Sequence, residues 1–180
     1  MSVRNVLSHY SPEDMALILN AADGSWTHQV NGTLEGTFFS LERVIPHATL
    51  ATGADASNAR VIRDVRNYNL TVSLMQTSES NDVFSSIIAK DAETRDGSKL
   101  FSLILKDTIG RTVMSSPVAF IGTTPTLNYS TDIEGRDWVL SLINVQEHIG
   151  GNGFVLPDTQ ATLSAMDYEV DDQWRGFQID

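Results

Sequence analysis

The chain has 180 residues, 41% of them hydrophobic, no cysteine, and 23 Asp and Glu against 12 Lys and Arg, for a formal charge of −11. That length and apolar content suit one domain with a real core and argue against wholesale disorder. The missing cysteine excludes a disulfide framework, a thiol nucleophile and any thiolate-held metal, and it fits assembly in a reducing cytosol. An acidic surface repels phosphate backbones and anionic lipids, which disfavours a sequence-reading nucleic-acid binder but suits a wall past which DNA must slide.

No apolar targeting stretch opens the chain and no run approaches the ~18 apolar residues of a membrane span, so a soluble protein is expected. Asp23-Gly24 and Asn31-Gly32 predict tight turns on either side of a short strand near Trp26 to Val30. Phe39 and Leu41 then alternate with Ser40 and Glu42. Residues 46–60 are mostly small and polar and predict a long inter-strand loop, a length that usually marks function or disorder. Leu70, Val72 and Leu74 alternate with Thr71, Ser73 and Met75 in a half-buried strand. Ser78 to Asp82 is dense in helix-capping residues, and Val83, Phe84, Ile87 and Ile88 follow at helical spacing, which predicts one amphipathic helix over 80–92.

Beyond it, Phe101, Leu103 and Leu105 and then Trp138, Leu140 and Leu142 repeat the period of two. Gly110 reads as a hairpin turn, and Pro117 and Pro125 restrict their segments to edges, bulges or strand ends. Ile104, Val139 and Ile143 put apolar groups on the second face of two strands, so another layer or another subunit is expected there. The expected fold is mainly β: an antiparallel sandwich or barrel with one flanking helix. It divides into a β domain over 1–153 and an extension over 154–180. The extension carries six acids against Arg175 and is too apolar, with Phe154, Leu156, Trp174, Phe177 and Ile179, for a plain solvating tail.

Chemistry is nearly absent from the pattern. His9, His28, His47 and His148 have no metal-site spacing, no serine lies in a G-x-S-x-G elbow, and both phosphate-loop glycine patterns are missing. Gly150-Gly151-Asn152-Gly153 reads as a turn after a strand. Asp167, Glu169, Asp171 and Asp172 alternate as calcium-loop ligands do, yet they lack the central glycine and terminal glutamate of an EF-hand and read as a solvated face. No catalytic, cofactor or metal residue is assigned, and the chain is not expected to be an enzyme.

The run Leu70-Thr-Val-Ser-Leu-Met-Gln-Thr-Ser-Glu-Ser-Asn-Asp-Val-Phe84 resembles the strand-to-helix signature of the tail-tube proteins of contractile phages. Supporting pieces occur in the same order: Tyr10-Ser-Pro-Glu-Asp14, Gly36-Thr-Phe-Phe-Ser-Leu-Glu-Arg43, Gly53-Ala-Asp55 with Arg60, Ser116-Pro117, Arg136-Asp137-Trp138 and Gly150-Gly151-Asn152. The resemblance spans about residues 8–153; the region 21–33 departs from it, and 154–180 extends past its end.

The resemblance implies hexameric rings that stack into the inner tail tube, a conduit for DNA ejection, an architecture shared with type VI secretion tubes. It implies assembly in the host cytoplasm, a place in the virion tail, and sheath, tape-measure and baseplate proteins as partners, with DNA passing unbound and no membrane. Candidates for ring stacking are Thr49, Leu50, Thr52, Asp55 and Asn58 in the long loop; candidates for the lumen are Ser40, Glu42, Thr71 and Ser73. The alternative is another tail, baseplate or secretion-tube module: a single ring, a tail terminator or an effector-delivery tube. An enzyme or small-ligand binder has only the acidic C-terminal cluster in its favour.

Overall fold

A computed structural model describes residues 8–176. The opening residues 1–7 and, from the extension, Phe177, Ile179 and Asp180 lie outside the described residues. The strands are β1 (Met15–Ala21), β2 (Thr27–Gln29), β3 (Phe39–Arg43), β4 (Ala48–Thr52), β5 (Asn58–Ile62), β6 (Tyr68–Met75), β7 (Phe101–Asp107), β8 (Val113–Thr123), β9 (Gly135–Ile143) and β10 (Gln146–His148). The helices are α1 (Ser80–Thr94), between β6 and β7, and α2 (Pro157–Ser164), after β10.

Eight strands form one antiparallel sheet in the order β2-β1-β7-β8-β9-β6-β3, with β10 on β8; β4 and β5 pair separately. The strands that alternate in the sequence bury one face each. Leu17 and Leu19 from β1, Leu70, Val72 and Leu74 from β6, Leu103 from β7, and Leu140 and Leu142 from β9 meet in a single core. One sheet encloses a core only if it folds over, and β8 is where it does so. Its register shifts twice, around Pro117 against β7 and around Gly122 against β9, and such bulges bend and twist a strand. Pro117 thus occupies the kind of site expected of it.

The sheet is not closed into a barrel. β2 and β3 lie at its two ends, so the mainly β antiparallel fold is as expected and its barrel form is not. The expected helix is present and runs two residues further, to Thr94, where Arg95 adopts a left-handed conformation (φ 51°) and its N–H caps Asp91 O. Phe84, fully buried, packs edge-on against Trp138 at 5.3 Å between ring centres.

Two expectations are corrected. The long loop over 46–60 is a β-hairpin: Thr49 faces Val61 and Leu50 faces Arg60 across β4 and β5. Its alanines and threonines alternate without large core residues, because this ribbon has no core face. Second, the flanking helix is not alone. Leu156-Pro157 starts α2 inside the extension, with proline in the first turn, where its missing N–H costs nothing.

Candidate assembly surface

The β4–β5 hairpin rises from the end of the sheet where β3 stops and β6 begins, at the pair Arg43 and Tyr68. Its neck is fastened. Val44 N–H donates to Asn67 O at 2.9 Å, Arg63 N–H to His47 O at 2.9 Å, and Val145 N–H to Arg66 O at 2.8 Å. Arg43 donates to Val65 O at 2.9 Å and approaches Glu147 at 4.0 Å. Beyond the neck every residue of β4 and β5 is exposed. The tip closes through Gly53 N–H to Ser57 O, with Asp55 accepting from both the hydroxyl and the N–H of Ser57. Those bonds hold the Asp55 carboxyl below its ordinary pKa, the Ser57 hydroxyl contributing most.

The five stacking candidates therefore share one hairpin. Thr49 and Leu50 lie on β4, Thr52 donates its hydroxyl to Asn58 Oδ1 at 3.0 Å across the ribbon, and Asp55 sits in the tip. Cross-strand partners share a face, so Leu50, Arg60 and Ile62 stand on one side and Thr49 and Val61 on the other. Leu50 is 73% exposed. A two-stranded ribbon is marginal in water by itself, and among the described residues nothing packs over this one.

The four lumen candidates also come together. Ser40 pairs with Thr71 and Glu42 with Asn69 across β3 and β6; Ser73 pairs with Asp137 on β9 and donates to its carboxylate at 2.6 Å. With Ser141 they form a hydroxyl and carboxylate field without a base, on the sheet face opposite the core.

The strand-to-helix signature is spent on structure. Ser78 Oγ donates to Asn31 O at 2.6 Å, Ser80 Oγ accepts from Asn31 N–H at 3.1 Å, and Asn81 bonds Met75 O, Ser78 O and the Trp138 indole. Ser80 also lies 3.0 Å from His28 Nε2, a serine–histidine pair of the kind hydrolases use. Here Ser80 is fully buried and its oxygen is already engaged by Asn31, so it has no path to a substrate. Burial lowers the His28 pKa, opposed by the charge of Glu79.

The extension, missed as structure in the sequence, folds back on the same end of the sheet. Just before it, Asn152 donates to Asp107 at 2.6 Å and Arg111 donates to Gly153 O at 2.7 Å; within it, the Trp174 ring centre lies 5.3 Å from the Arg111 guanidinium. His148 of β10 stacks on Tyr168 and shares a 2.9 Å hydrogen bond with its hydroxyl. Val155 and Arg175 close the segment at its neck in a parallel bridge. Asp171 accepts from Gln173 N–H and Asp172 pairs with Arg175, and among the described residues no group of acids or histidines is arranged to hold a metal.

The open edges and the exposed hairpin define a β module with surface left unpaired, and a comparison of the whole chain gives its family. It is 35% identical over 167 residues, 93% of this chain and 96% of the other, to Structural protein ORF10 of Pseudomonas phage KPP10. The chain belongs to this family of phage structural proteins. No model of a known protein family matches it. Among solved structures, the tube-terminating cap of the anti-feeding prophage is similar at a TM-score of 0.45 and 14% identity, over 82% of this chain and 99% of that one. The sheath/tube terminator of an extracellular contractile injection system, in its extended state, is similar at 0.42 and 10%, over 80% and 99%.

Proposed function

We propose that this chain is a self-assembling ring subunit of a contractile phage tail, a mechanical component of the virion. The hairpin carries this reading: ten strand positions, five in β4 and five in β5, all exposed and with no layer packed over them among the described residues. A ribbon of that kind becomes stable when a neighbouring molecule supplies the missing layer. The open edges at β2 and β3 offer a second contact, because strand pairing between neighbours removes the aggregation hazard of a bare edge. A contact between two different patches that closes on itself is a ring.

In its fuller form the ring has six subunits and repeats along the tail as the inner tube. The sheath surrounds it, and tape-measure and baseplate proteins meet it. The field around Ser40, Glu42, Thr71 and Ser73 faces the DNA, whose phosphates find hydroxyls and carboxylates and no base to hold them. Assembly takes place in the host cytoplasm.

A second form is one ring that terminates the tube. The extension supports it: its Trp174 and Tyr168 pack on Arg111 and His148 at the end of the sheet from which the hairpin rises, a surface that a repeating stack has to present to its next ring. Negative-stain microscopy of the purified chain separates the two. Tubes of indefinite length support the conduit, closed single rings support the terminator, and a monomer at high concentration overturns both.

A further inference from the structure

The geometry points to the folded extension as the surface that receives the β4–β5 hairpin of the neighbouring copy within one ring. This rests on the reading of the hairpin as an intersubunit contact and supplies its other half.

Three observations carry it. The first is position. The hairpin leaves the sheet beside β10, where Val145 N–H bonds Arg66 O and Arg43 approaches Glu147. The extension docks on β10 through Tyr168 against His148, and on the β7–β8 turn through Trp174 under the Arg111 guanidinium. Both patches therefore lie at one end of the molecule. A contact between these two different patches on neighbouring copies is heterologous, and such a contact closes a ring when the rotation between copies returns on itself.

The second is shape and polarity. The hairpin shows Leu50 and Ile62 on one face, both more than half exposed. On the extension and its approach, Ile149 is 74% and Met166 68% exposed, with Phe154 and Leu156 also open to solvent. Among the described residues these two apolar sets have no layer over them, and each is of a kind that marks a protein contact.

The third is charge. Residues 44–67 hold Arg60, Arg63 and Arg66 against Asp55 and Asp64, a net positive segment in a chain of charge −11. The described part of the extension holds five acids against Arg175, whose guanidinium is already committed to Asp172. Two such patches attract one another and repel their own kind, which sets the orientation of a head-to-tail contact.

The absence of native cysteine makes the test clean. Leu50→Cys and Met166→Cys are made separately, at exposed positions, and mixed under mild oxidation. The expected result is a disulfide dimer in the mixture, none from either variant alone, and a ladder ending at the ring size for the doubly substituted chain. As a second measurement, Arg60→Glu with Arg63→Glu is expected to abolish rings and leave the subunit's circular dichroism unchanged. If Leu50→Cys crosslinks instead to Tyr129→Cys, on the loop at the far end of the sheet, the contact runs between rings and the inference is overturned. The same holds if the unmodified chain forms rings and the 50–166 crosslink is absent. An unmodified chain that remains monomeric overturns the ring reading itself, a different outcome from either.

Discussion

Trp138 donates its indole N–H to Asn81 Oδ1 at 2.9 Å, while the Asn81 amide nitrogen donates to Met75 O and Ser78 O. One side chain thus ties the last residue of β6, the turn after it and the middle of β9 to the start of α1. Replacing Asn81 by Ala strands the indole at a part-buried site and takes a second hydrogen bond from each carbonyl, leaving Met75 O with Ser78 N–H and Ser78 O with the Asn81 N–H. The expected loss is about 2–3 kcal/mol, since leaving polar groups unpaired costs more than the bonds themselves contribute. Trp138→Phe removes a single partner and should cost less. A double-mutant cycle in urea reads a coupling between the two positions; strictly additive losses would contradict the shared network.

Gly32 marks where the chain crosses that network. Its φ is +66°, and a Cβ there would stand 2.7 Å from the Ser78 Cβ. Gly24 has a similar φ of +71° with open space around it. Gly32→Ala is therefore expected to cost about 2–3 kcal/mol, strain and overlap together, and Gly24→Ala about 1 kcal/mol from strain alone. Equal midpoints in thermal unfolding would show that the overlap relaxes freely.

These contacts explain how far the sequence could be read. Alternation placed β6, β7 and β9, because Leu70 to Leu74 and their counterparts each have a buried face to satisfy. The helix was legible for the same reason, through Phe84. The β4–β5 ribbon was not, because alternation is visible only where one face is apolar and buried, and Ala48–Thr52 has neither. The extension was illegible for another reason. It is held by His148 on Tyr168 and Arg111 on Trp174, pairs 20 and 63 positions apart that no local pattern announces. Of the candidate residues, the grouping of Ser40, Glu42, Thr71 and Ser73 on one face followed from period two, but their adjacency needed the register of β3 on β6.

His28 gives the junction a pH dependence. Burial lowers its folded pKa below the ordinary value near 6.5. The unfolded chain then takes up the proton more readily than the folded one. Stability is full above the unfolded pKa and declines as pH falls through it toward the lowered folded value. Denaturation at pH 7.5 and 5.5 should show the loss at the lower pH, and His28→Gln should remove that part of it. An unchanged pH response in the variant would assign the effect to the carboxylates instead.

The polar face of β3, β6 and β9 can be tested by reversing its character. Thr71→Lys and Ser73→Lys each put an ammonium where hydroxyls now stand, at positions outside the core. If that face lines the channel, assembled rings should acquire DNA binding that weakens with salt, the slope of log affinity against log salt steepening by about one for each lysine that meets a phosphate. Lysine at Leu50, on the hairpin, should instead impair assembly and leave any DNA affinity unchanged. Binding that follows the hairpin variant and not the sheet variants would place the wall elsewhere.

Removing residues 154–180 separates folding from assembly. The hydrophobic core contains no described residue of the extension, and the bonds lost are those at the rim, chiefly Arg111 on Trp174 and His148 with Tyr168. The truncated subunit should keep its sheet and unfold cooperatively, weaker by about 1–3 kcal/mol, with a smaller helical signal because α2 is gone. Yet a segment with Val155 and Val170 buried against it, and with apolar groups left open on its outer side, is doing more than covering an end. If it receives a neighbour's hairpin, the truncated chain should sediment as a monomer at concentrations where the full chain forms rings. Rings of normal size from the truncated chain would show that the extension is a brace for its own subunit and that the hairpin docks on something else.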